Sequence, residues 1–82
     1  MKTLRSRGHR ALLTVLTEVR EEAGLTQRAL ATRLKQAHSY PSKVETGERR
    51  IDPVECMAWA KACGLDPAEF FNRFVAGVGR RM

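Results

Sequence analysis

Apolar residues recur along this chain with the period of a helix. Leu12, Leu16, Val19 and Ala23 stand at i, i+4, i+7 and i+11, while Arg20, Glu21 and Glu22 fall off that stripe, so residues 9–23 are expected to form an amphipathic helix closed by Gly24. Thr26 is a suitable N-cap for a second helix, whose apolar positions Ala29, Leu30 and Leu34 keep the same spacing as far as Lys35. Residues 38–46, with Tyr40 or Pro41 and Val44 as the inward side, form a short third helix ending at Gly47. Asp52-Pro53-Val54-Glu55 and Asp66-Pro67-Ala68-Glu69 share one pattern. Each has an Asp cap, Pro at the first helical position and Glu at the third, where it can reach back to the cap N–H. The first opens a helix to Cys63; the second runs through Phe70, Phe71, Phe74, Val75 and Val78, weakened by Gly77 and Gly79. No stretch alternates with the period of a strand, so the fold class is all-α, a compact bundle of about five helices.

The 82 residues, 43% hydrophobic and 29% charged, fit one small folded domain, residues 1–82, and exclude an enzyme built around an interdomain cleft. No apolar run reaches the roughly 18–20 residues that span a bilayer, and Met1–Arg7 lacks a signal-peptide core, so the expected location is the cytoplasm with no membrane contact. Cys56 and Cys63 on one helix would lie about 10 Å apart, too far to bridge.

The net charge of +6 is unevenly placed. A basic N-terminal arm, residues 1–8, begins a run holding Lys2, Arg5, Arg7 and Arg10 with no acid; it is either a tail that reaches DNA or a solubilising end. Residues 24–51 carry Arg28, Arg33, Lys35, Lys43, Arg49 and Arg50 against Glu45 and Glu48, and 52–72 carry Lys61 against Asp52, Glu55, Asp66 and Glu69. A basic middle between acidic stretches suits one face that meets a polyanion. The aromatics are mostly distant from that cluster, which disfavours base stacking on single strands.

Two short helices joined by a tight turn in a basic all-helical domain satisfy the physical requirement for reading a major groove. Thr26-Gln27, Leu30-Ala31, Leu34, Ser42, Glu45, Gly47 and Gly64-Leu65 stand at the spacing of the XRE-type, Cro/repressor-like helix-turn-helix family, which residues 25–66 strongly resemble. The resemblance implies a lambda-repressor-like domain with its helix-turn-helix at about 26–46, sequence-specific binding to double-stranded DNA, and a homodimer on a pseudo-palindromic site. It places base contacts at His38, Ser39, Tyr40 and Lys43, and phosphate contacts at Gln27, Ser42, Arg49 and Arg50, with Arg28 and Arg33 as flanking contacts. Glu45 is assigned a pairing or capping role across the motif.

Two positions depart from the family pattern. Lys35 stands where Gly is favoured, so a left-handed turn there costs about 1 kcal/mol unless the helix runs on. Pro41 stands where an aliphatic residue is usual and should push Tyr40 from helical angles, which predicts a recognition helix that starts late or is distorted.

Other chemistry is poorly served. His38, Ser42 and Glu45 on an exposed helix offer no concave pocket or oxyanion hole for catalysis, and Cys56, Cys63, His9 and His38 lack the paired spacing of a zinc site. No cofactor is implied. An apolar patch from Trp59, Phe71, Phe74 and Val78 is the expected two-fold dimer contact. The expected function is a transcriptional regulator that acts as a repressor. The rival reading is an antitoxin-like or adaptor protein that chiefly holds another protein, and a further rival is non-specific nucleic-acid coating.

Overall fold

A computed structural model describes residues 6–81, with side chains from 6 to 79. Its helices are α1 (Arg7–Glu22), α2 (Gln27–Leu34), α3 (Tyr40–Glu45), α4 (Pro53–Ala62) and α5 (Pro67–Arg81). No strand occurs among the described residues.

Local capping sets most of the boundaries. Ser6 Oγ accepts the His9 N–H at 3.1 Å, so α1 begins at Arg7, two residues before the apolar stripe indicated. Arg7 and Arg10 therefore belong to its first turns, and residues 1–5 of the expected arm lie outside the described residues. Its inward face is Ala11, Val15, Leu16 and Val19, whereas Ala23 is the exposed C-cap and Leu12 is half-buried. The Thr26 hydroxyl caps α2 through the Ala29 N–H at 3.0 Å. At α4 both arms of the capping box form: Asp52 Oδ1 accepts from Glu55 N at 2.7 Å, and Glu55 Oε1 accepts from Asp52 N at 3.0 Å. Each such cap contributes about 1 kcal/mol. Helix α5 runs on through Gly77 and Gly79 to Arg81, because its long seam against α1 holds what local propensity weakens.

The core lies where α1, α2, α3, α4 and α5 converge. Trp59, Phe70, Leu16, Leu30, Val44 and Pro41 are its largest fully buried side chains. The indole N–H of Trp59 donates to the Leu16 carbonyl at 3.1 Å, satisfying its one polar atom while tying α4 to α1. Trp59 is thus 0% exposed and unavailable to a dimer partner, contrary to its sequence-based placement on the surface. Phe70 is buried and meets Phe71 edge-on at 5.2 Å; Phe71, Phe74 and Val78 are half-buried, and both phenylalanines pack against the core.

Candidate nucleic-acid interface

The turn between α2 and α3 is closed by backbone geometry. Lys35 adopts φ 57° and ψ 42°, the left-handed conformation. The helix does not run on; Gln36 N donates to Ala31 O at 3.0 Å and Lys35 N to Thr32 O at 3.1 Å, satisfying carbonyls that the end of α2 would orphan. His38 and Ser39 lie exposed in the turn, and α3 begins late, at Tyr40.

Pro41 accounts for that late start. It occupies the first turn of α3, where its missing N–H leaves no helical bond unmade, and its ring is fully buried. Tyr40, expected outside helical angles and at a base edge, instead opens α3 with its ring in the core, 6% exposed and tilted against Trp59 at 6.2 Å. A six-residue helix must turn some side inward to be held, and the pair Tyr40-Pro41 with Val44 supplies that side. Burial, with the nearby carboxylate of Glu55, pushes the Tyr40 phenol up to about 12, so it stays protonated.

The outer side of α3 carries Lys43, exposed, with Ser42 half-buried beside it. Its last residue, Glu45, points back into the protein. Glu45 Oε2 accepts from Arg20 Nε at 2.7 Å, and its Oε1 accepts from Arg20 Nη2 at 3.2 Å and from Gln27 Nε2 at 2.9 Å. Arg20 also donates to the Leu25 carbonyl at 2.7 Å, and its side chain and that of Glu45 are only 12% and 7% exposed. The hydrogen bonds from Arg20 to Glu45 hold the guanidinium proton more tightly than usual. This cluster ties α1, the start of α2 and the end of α3 together, as the pairing role assigned to Glu45 requires. The composition gave one clue to Arg20: it is the lone base among the acids of residues 11–23.

The basic residues of the following loop are placed differently from one another. Arg49 donates to Glu55 Oε2 at 3.0 Å and to the Arg50 carbonyl at 2.7 Å, and its guanidinium sits 4.7 Å from the centre of the Tyr40 ring. It is a strut between α3 and α4 before it is a phosphate ligand. That pairing, with the Asp52 N–H, holds the Glu55 carboxyl below the usual carboxylate range. Arg50 is exposed and lies near His9, whose buried Nε2 has no hydrogen-bond partner among the described residues. Desolvation and then Arg50 lower the basicity of that imidazole. On α2, Arg28 is exposed, while Arg33 donates to the Ala62 carbonyl at 2.8 Å and so braces α2 against α4. Gln27 stands in the first turn of α2 with its carboxamide N–H on Glu45.

The structure therefore brings His38, Ser39, Ser42 and Lys43 onto the turn and outer side of α3 and removes Tyr40 from them. No group of three or more His, Cys, Asp or Glu side chains able to hold a metal occurs among the described residues, and no described helix is long and apolar enough to cross a membrane.

A family model for a helix-turn-helix domain matches residues 11–70, from within α1 to the first turn of α5. Among solved structures, the chain is similar to an XRE-family like protein from Pseudomonas syringae pv. tomato str. DC3000, at 40% identity over 92% of each chain with a TM-score of 0.82. No curated protein matches the chain. The left-handed turn at Lys35, the short α3 with its outward Lys43 and these two likenesses converge, and the chain belongs to the XRE-type helix-turn-helix family of DNA-binding regulators.

Proposed function

We propose that this protein is a sequence-specific double-stranded DNA-binding repressor that acts in the cytoplasm as a homodimer on a pseudo-palindromic operator. One observation carries the reading. Arg20, Arg49 and Arg73 are each held by an acid of the same chain, whereas exposed Lys43 on α3 makes no ion pair among the described residues. A cation left unpaired on the outer side of the second helix of the motif is free to donate to guanine O6 and N7.

Other roles follow from placement. His38 and Ser39 in the turn adjoin the same base steps. Gln27, Arg28, Ser42 and Arg50 are assigned to the phosphate backbone, where they set register without reading sequence. Arg33 and Arg49 serve chiefly as internal braces. Repression follows from occupancy, since two copies spanning paired half-sites exclude other proteins from that stretch of duplex.

A second reading, an adaptor whose main partner is a protein, draws support from exposed apolar side chains on α4 and α5: Val54 at 73%, Met57 at 39% and Val75 at 65%. Selection of bound duplexes from a random pool separates the two. A palindromic winner bound about 10³-fold or more above a scrambled control is the expected outcome. Equal, steeply salt-dependent binding to both duplexes leaves only a basic coat, and absence of binding favours the adaptor.

A further inference from the structure

Helix α4 is apolar on two opposite sides, and the monomer uses one. Cys56, Trp59 and Ala60 face the core, and Ala62 and Cys63 pack beside them. Val54, Met57, Ala58 and Lys61, at i, i+3, i+4 and i+7, are all exposed and fall within about 100° of arc on the other side. A helix that is hydrophobic all round is normally buried all round.

We infer that this outer stripe of α4 is the contact with a second copy of the chain, formed by antiparallel pairing of the two α4 helices about a two-fold axis between Met57 and Ala58. The inference rests on the homodimer proposed above and moves its centre from α5 to α4. Phe71 and Phe74 are already engaged with the core, so α5 has less apolar surface to give.

Charge selects the occupant. At the N-terminal end of the stripe Asp52 is exposed and makes no ion pair among the described residues, Glu55 beside it being already held by Arg49; at the C-terminal end Lys61 likewise makes none. Antiparallel pairing brings unlike ends together. It lays the aliphatic stem of Lys61 over the partner's Val54 and carries the ammonium to the acidic end of the partner helix. Residues 52–72 carry Lys61 against Asp52, Glu55, Asp66 and Glu69, so this is where two otherwise basic copies repel each other least. A ten-residue helix is only about 15 Å long, so the contact falls short of the roughly 800 Å² per partner of a standard interface, and a weak free dimer is expected.

The register gives a test by compensation. Val54→Lys sets a lysine against the partner's Lys61, and Lys61→Glu sets an acid against the acidic end; both positions are exposed, and circular dichroism checks that the fold is kept. Each single variant is expected to weaken the dimer at least tenfold in sedimentation equilibrium without DNA. The double variant V54K/K61E places opposite charges across the axis and is expected to restore association to within a few-fold of the parent, while V75K on α5 leaves it unchanged. A parent that stays monomeric to about 1 mM, single variants that dimerise normally, or a double variant without recovery overturns the inference. Because the measurement contains no DNA, its failure is separate from failure of duplex selection: a chain that selects a palindrome yet ignores the α4 variants keeps its function and loses this interface.

Discussion

Replacing Glu45 by Ala removes the acceptor on which three donors converge. The carboxylate accepts from Arg20 Nε at 2.7 Å, Arg20 Nη2 at 3.2 Å and Gln27 Nε2 at 2.9 Å, and its side chain is 7% exposed. Arg20, 12% exposed on its side chain, would keep the Leu25 carbonyl and a distant Glu21 at 3.9 Å. Removing one partner of a buried pair costs about 3–5 kcal/mol, chiefly because the other charge is left uncompensated. With those two residual partners the lower end applies, about 3 kcal/mol. For a domain of this size that lowers Tm by roughly 12–24 °C. Trp59 is the single tryptophan and fully buried, so its fluorescence during urea unfolding reports the loss directly. The double variant R20L/E45L removes both charges and should cost less than E45A alone. A single-variant cost below about 1 kcal/mol, or a double variant worse than E45A, refutes the reasoning.

Three further outcomes follow from the same geometry. Lys35→Gly relieves the left-handed backbone and should raise stability by about 0.5–1 kcal/mol in urea titration; destabilisation would place the strain elsewhere. Burial pushes the Cys56 thiol up to about 11 and also raises Cys63, but only Cys63 is partly open to solvent, so iodoacetamide at pH 8 should modify Cys63 first and Cys56 only on unfolding. Equal rates at both would contradict the packing of α4. The Glu55 carboxyl is held below its ordinary 4.5 by Arg49 and the Asp52 N–H, so its contribution is present above that value and fades as pH falls through and below it; Arg49→Ala should flatten this acid limb by a few tenths to about 1 kcal/mol, the pair being partly solvated. An unchanged limb would mean that Arg49 does not brace α4.

The helices were legible in the sequence wherever the determinant is local. Thr26, the Asp52 and Glu55 pair, and the Asp66-Pro67 start act within four residues of themselves, and the structure begins α2, α4 and α5 there. Ser6 acts locally too, but it precedes the apolar stripe, so periodicity alone set the start of α1 too late. Partners far apart in sequence were not legible. Arg20 and Glu45 are 25 residues apart, and Trp59 reaches Leu16 across 43, so neither the clamp nor the burial of the indole follows from spacing. Tyr40 shows the same limit: six residues have too little period to fix which side faces inward, and contact with Trp59 decides it. Arg49 resembled a phosphate ligand because it is a loop arginine, yet folding sets Glu55 and the Tyr40 ring beside it.

The central claim is that α3 reads base edges through Lys43. The direct measurement is the affinity of the parent and of Lys43→Ala for the selected duplex and for each of its single-base variants, at two salt concentrations. The account predicts a loss of about 1–3 kcal/mol on the selected duplex, with discrimination erased at one position of each half-site and retained at the others. Equal weakening on every duplex would make Lys43 a phosphate contact and contradict the claim.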